Sequence, residues 1–202
     1  KAADDAAAAK KAADDATAQK AAEDDAAAAA NRPQAGVFSS TLRQGGLRRA
    51  LDALSNAKTP VFKSVAAAIK NVLGDSPSRV VAEGNPLSPE NAAGINRLKQ
   101  EGKVAEYDPR TDTYFFTSEG MTPKTILHEA IHAASIQVLK AFKEGGELTR
   151  TQKSAAKRID DIFEKSKPLL GDEFQSAYEN VYEFLSAALT DGDLQRALAK
   201  LK

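Results

Sequence analysis

Cysteine and tryptophan are missing from all 202 positions, histidine occurs twice and methionine once. Without cysteine there is neither a disulfide framework nor a thiolate metal site. Lys plus Arg balance Asp plus Glu, 28 against 28, so no net field draws the chain towards nucleic acid or anionic lipid. No apolar run approaches the roughly 20 residues of a membrane span, and no secretory leader is legible. The chain opens on Lys1 inside a repeat and its sole methionine is Met121, as expected of a piece of a longer polypeptide or assembly. The compartment is left open.

Both histidines fall in one stretch, Thr122-Pro123-Lys124-Thr125-Ile126-Leu127-His128-Glu129-Ala130-Ile131-His132, which contains H-E-x-x-H. On a helix, residues four apart share a face, with Cβ atoms roughly 5–6 Å apart. Two neutral imidazoles so placed can share one metal ion, each at about 2.0–2.1 Å from zinc. Glu129, one step round the helix, then stands beside a water held by that ion, as its general base. The setting reads as helical. Thr122 is an N-cap, Pro123 fits the first helical position, and Leu127, Ile131, Ala134, Val138 and Phe142 recur at helical spacing until Gly145-Gly146.

Residues 1–30 are almost entirely Ala, Lys and Asp, with Asp pairs at Asp4/Asp5, Asp14/Asp15 and Asp24/Asp25. High helix propensity without large apolar side chains predicts a solvated helical rod or tether, with or without coiled-coil pairing. Residues 31–36 read as a linker, and the globular domain is expected from Val37 to Lys202. Helices are predicted near 47–55, from Pro60 to Gly74, from Pro89 to Glu101, across the H-E-x-x-H stretch, and from Arg150 to about Lys165 with Ile159, Ile162 and Phe163 inward. Further helices are predicted from Asp172 to Asp191 and from Asp193 to Lys202.

Two stretches break the helical pattern. Arg79-Val80-Val81-Ala82-Glu83 is a strand candidate, and 104–107 with 113–116 flank a hairpin turn at Asp108–Asp112. The fold class is therefore mainly α with a small antiparallel β-sheet, α+β. Thr113, Tyr114, Phe115 and Phe116 form a candidate edge strand on which an extended peptide could pair, or else a cover for the core.

A catalytic zinc takes three protein ligands and one open position. No third histidine exists, so a carboxylate must serve, and the helix 172–191 offers Glu173, Glu179 and Glu183. Glu179 and Glu183 share its narrow polar arc. With Tyr107-Asp108-Pro109, Thr113-Tyr114-Phe115 and Asn180-Val181-Tyr182-Glu183-Phe184-Leu185, the H-E-x-x-H helix resembles the gluzincin branch of zinc metallopeptidases. More narrowly it is similar to zincin-like domains embedded in large proteins of bacteriophages and mobile elements. The resemblance covers roughly residues 75–200. It implies Zn2+ held by His128, His132 and Glu183, Glu129 as catalytic base, and a place in a virion or the host cytoplasm. Such domains often carry a second acidic residue four positions after the ligand, where this chain has Ala187.

The expected function is hydrolysis of peptide bonds in a polypeptide substrate, as an endopeptidase rather than an exopeptidase. Glu179 is expected to orient a ligating histidine, and Tyr178, Tyr182 and Arg110 are candidates to support the ligands or the oxyanion. A second reading is a winged-helix nucleic-acid module, with helix 89–101 and hairpin 103–117 carrying Arg97, Lys99, Lys103 and Arg110. Interleaved Glu101, Glu106, Asp108 and Asp112 weaken phosphate attraction. A third is a catalytically silent structural zincin fold.

Overall fold

Five of the described helices start where a side chain takes their first free N–H groups. The computed structural model describes residues 38–57, 59–74 and 78–201, which lie in one unit, Phe38–Lys202. The rod at 1–30, its coiled-coil pairing, the linker at 31–36 and the domain start at Val37 lie outside the described residues. The order is α1 (residues 38–55), α2 (Pro60–Leu73), β1 (Arg79–Ala82), α3 (Pro89–Gln100), β2 (Ala105–Asp108), β3 (Thr113–Phe116), α4 (Pro123–Glu144), α5 (Arg150–Ser166), α6 (Val181–Thr190) and α7 (Gly192–Lys200). Two 3-10 segments, Lys167–Leu169 and Asp172–Tyr178, join α5 to α6. The fold is mainly helical with a small mixed sheet, an α+β arrangement.

Thr122 Oγ1 accepts from Thr125 N–H at 3.1 Å and opens α4, and Gly145 closes it with φ 73°. Thr149 and Gln152 complete a reciprocal capping box at α5. Helix α1 begins earlier than the 47–55 segment predicted. It runs through Gly45-Gly46, with Gly46 at φ 67°, because Phe38 and Leu42 bury themselves at 4% and 1% exposure. Ile162, expected inward on α5, is 53% exposed; Phe163 alone of the pair faces the core.

The sheet corrects two expectations. Its order is β1-β3-β2, with β1 parallel and β2 antiparallel to β3, so it is mixed rather than antiparallel. Thr113–Phe116 is therefore the central strand and offers no free edge. Tyr114 and Phe116 are fully buried, and both sides of the strand are paired. The strand edge that remains beside α4 is β2.

Two apolar clusters hold the unit together. The first gathers Leu51, Leu54, Tyr114, Phe116, Ile126, Leu127 and Ile131 from α1, β3 and α4. The second gathers Leu139, Phe163, Tyr178, Val181, Phe184 and Leu194. Helix α4 threads both, and Leu185 of α6 touches both. Among the described residues no helix is long and apolar enough to cross a membrane.

The turn that launches α4 has no spare room. Gly120 is buried, and a Cβ there would stand 2.0 Å from the carbonyl oxygen of Val104, which also accepts from Thr117 N–H at 2.9 Å. Backbone, not a flexible side chain, must give way. Gly120→Ala is expected to destabilise the fold by about 1–3 kcal/mol in urea titration. A variant as stable as the wild type would show that the turn can relax freely.

Candidate metal centre

Helix α4 places His128 and His132 one turn apart, with ring centroids 4.8 Å apart and edge to face. Their Nε2 atoms approach to 3.0 Å. From α6, Glu183 Oε2 lies 3.1 Å from His128 Nε2 and its Oε1 lies 3.4 Å from His132 Nε2. Ligands about 2.0–2.1 Å from one tetrahedral ion are separated by about 3.3 Å, so the three donors are spaced as such an ion requires. Two imidazole nitrogens facing each other cannot both present lone pairs at that range without a proton or a cation between them. Among the described residues these three form the group able to hold a metal ion.

Glu129 occupies a different position round α4. It is 7% exposed, and its Oε2 accepts the backbone N–H of Tyr107 on β2 at 2.8 Å. Burial pushes its carboxyl up to about 7, against the lowering pull of His128 and the Tyr107 amide. Glu183 moves the other way. Hydrogen bonds from His128 and then His132 hold it well below the usual carboxylate range, despite partial burial. One carboxylate shaped to stay ionised thus faces another poised near neutrality.

The donors open into a cleft of about 400 Å³, walled by Lys103, Ala105, Glu106 and Tyr107 on one side and Ser176, Glu179, Asn180 and Tyr182 on the other. A larger cavity of about 550 Å³, lined by Leu47, Lys70 and Gly74 among others, has no histidine or acidic side chain in its wall. No protein-family model, curated protein or solved structure matches this chain. The site has to be read from its own geometry.

Several expected site residues stand elsewhere. The predicted helix 172–191 is broken: a 3-10 segment ends at Tyr178, and Asn180, extended at φ -157°, starts α6 afresh. Glu179 therefore shares no helical arc with Glu183. It is exposed on the cleft wall and makes no hydrogen bond to either histidine among the described residues. Tyr178 is buried in the second cluster and donates to Ser166 Oγ at 3.0 Å, away from the cleft. Arg110 is 87% exposed in the hairpin turn and pairs with Asp108 at 3.1 Å. Tyr182 lines the cleft wall, and burial, with a smaller push from Glu144, raises its hydroxyl above the ordinary value.

The basic residues of the nucleic-acid reading are also engaged. Arg97 pairs with Glu106 at 2.7 Å and Glu101 at 3.2 Å, Lys103 with Glu101 at 2.9 Å, and Lys99 with Glu83. The acids of the hairpin take up the cations that phosphates would need.

Sequence reasoning missed the Tyr107 amide, Asn180 and the role of β2. A signal for the last was present. Thr-Tyr-Phe-Phe is a nearly continuous apolar run, as in a strand buried on both faces, whereas Ala-Glu-Tyr-Asp alternates as an edge strand does.

Burial of Glu129 sets a pH dependence in the metal-free protein. Its folded value of about 7 exceeds the unperturbed 4.5, so the folded state holds the proton more tightly. The associated stability is fully present below the unfolded value and is lost as pH rises through about 7. Metal-free Glu129→Gln should match the wild type near pH 4 and exceed it by on the order of 3 kcal/mol near pH 9 in urea titration. A wild-type deficit that does not grow with pH would contradict this.

Proposed function

We propose that the chain is a zinc-dependent peptidase domain, with His128, His132 and Glu183 as metal ligands and Glu129 as general base. The observation that carries the reading is the convergence of three donors at ligand spacing beside a buried, near-neutral carboxylate in an open cleft. Two imidazoles and a carboxylate, with no thiolate, suit zinc in a catalytic rather than a closed structural site. When bound, the ion polarises water and the substrate carbonyl.

The chain's own groups do the rest. Glu129 takes a proton from the attacking water and returns it to the leaving amine, a role favoured by a carboxyl titrating near the working pH. The Tyr107 amide holds one oxygen of Glu129 and leaves the other free to reach the water. The cleft-side edge of β2 supports a peptide substrate. Thr117 N–H donates to Val104 O, and antiparallel alternation then turns both backbone groups of Ala105 and the carbonyl of Tyr107 away from β3, the Tyr107 N–H being held by Glu129. An extended chain can pair there by strand addition, crossing the donors of α4. Strand addition in mid-chain favours an endopeptidase.

Elemental analysis of the purified full chain tests the metal, with about one zinc per chain expected. Cleavage of unfolded casein, abolished by a chelator and restored by zinc, tests the reaction. A protein that binds no zinc overturns the reading, and one that binds zinc without cleaving casein reduces the site to a structural one.

A further inference from the structure

Hydrolysis of an amide gains most from a donor held where the carbonyl oxygen becomes negative. Tyr178 and Arg110 do not supply one, because the Tyr178 hydroxyl donates to Ser166 and the Arg110 guanidinium pairs with Asp108. We infer that the side-chain amide of Asn180 is that donor. The assignment rests on the metallopeptidase reading above.

Asn180 is the N-cap of α6 and lines the cleft together with His128, His132 and Glu183. Its Oδ1 accepts the backbone N–H groups of Tyr182 and Glu183, each at 3.0 Å. An oxygen holding two backbone donors cannot exchange places with the nitrogen, since Nδ2 accepts nothing. The amide plane is thereby fixed. Nδ2 projects away from the helix end and has no hydrogen-bond partner among the described residues.

The capping bonds also couple this donor to the donor set. The N–H that pins Oδ1 belongs to Glu183, whose carboxylate stands with the histidines, so Asn180 and Glu183 hold one fixed relation. A donor already oriented needs no reorganisation when charge develops. As the water oxygen bonds to the carbonyl carbon, the π pair moves onto the carbonyl oxygen and Glu129 takes the water's proton. Nδ2–H donates to that oxygen. The C–N bond then breaks, its pair stays on nitrogen, and Glu129 returns the proton to the amine.

A mere helix cap would show the same Oδ1 bonds, so the test separates capping from donation. Ser and Asp cap about as well as Asn but carry no amide N–H. Zinc-loaded full-length Asn180→Ser is compared with wild type for melting temperature, zinc content, kcat on casein, and affinity for acetohydroxamate by calorimetry. The expected result is unchanged zinc and melting temperature, kcat lower by about 10²–10³, and acetohydroxamate bound about threefold to tenfold more weakly. Asn180→Asp provides the same contrast if the serine variant folds poorly. Wild-type kcat and affinity in a folded, zinc-loaded variant would overturn the donor role and leave only the cap. A wild type without zinc would instead overturn the metal reading, and this assignment with it.

Discussion

Glu129→Gln is expected to keep its zinc and lose hydrolysis. Glutamine is nearly isosteric, and its side-chain oxygen can still accept the Tyr107 N–H that Glu129 takes at 2.8 Å. The local packing therefore survives. What disappears is the ability to receive a proton from water, and general-base contributions of this kind are worth about 10²–10⁴ in rate. Glu129 is absent from the group of donors able to hold an ion, so metal content should be unaffected. The check is zinc stoichiometry and casein cleavage on one preparation. Retained cleavage would remove Glu129 from the reaction, and lost zinc would move it into the ligand set.

Glu183→Ala should empty the site. The carboxylate is the single donor contributed by α6, and the histidines alone leave an ion two protein ligands instead of three. The loss should exceed the 10–100-fold typical of partners that only orient a ligand. Zinc at about 100 times its dissociation constant stabilises the wild type by about 2.7 kcal/mol, roughly 5–10 °C in melting temperature at this size. In Glu183→Ala that rise should vanish. Glu179→Ala is the control, because Glu179 is exposed and bonded to neither histidine among the described residues. If Glu179→Ala abolishes the zinc-dependent rise and Glu183→Ala keeps it, the ligand set is misassigned.

The sequence was most legible where local chemistry decides structure. Thr122-Pro123, Ser88-Pro89 and the Thr149–Gln152 box mark helix starts because each side chain satisfies an N–H within its own turn. The pairing of His128 with His132 follows from helical spacing alone. Glu183 was one of several carboxylates until a resemblance singled it out, and the break at Asn180 was not visible. Phe174, Ala177, Tyr178 and Val181 keep a helix-like spacing across it, and an extended N-cap leaves that pattern intact. Strand order was hidden for another reason. Whether β3 is central depends on β1, which pairs with it across 34 positions, as in Arg79 with Thr113. Side-chain directions of Tyr178 and Tyr182 depend on which of their faces α4 and α5 cover, and no periodicity carries that.

The two apolar clusters give the donor set a second meaning. His128 and His132 stand on α4 just past Ile126 and Leu127 of the first cluster, while Glu183 is flanked by Phe184 of the second. A nascent α4 by itself already presents two donors at helical spacing. The third lies 55 positions from His128 and arrives only when α6 docks. Closing a loop of that length costs roughly 4 kcal/mol of chain entropy, which apolar packing offsets before any ion is involved. An ion added to the folded chain meets a finished set, and one added to an unfolded chain meets at best a pair. If the three donors hold an ion as proposed, its affinity gauges docking between the clusters. A substitution in the second cluster, far from any donor, would register first as a weaker grip on zinc.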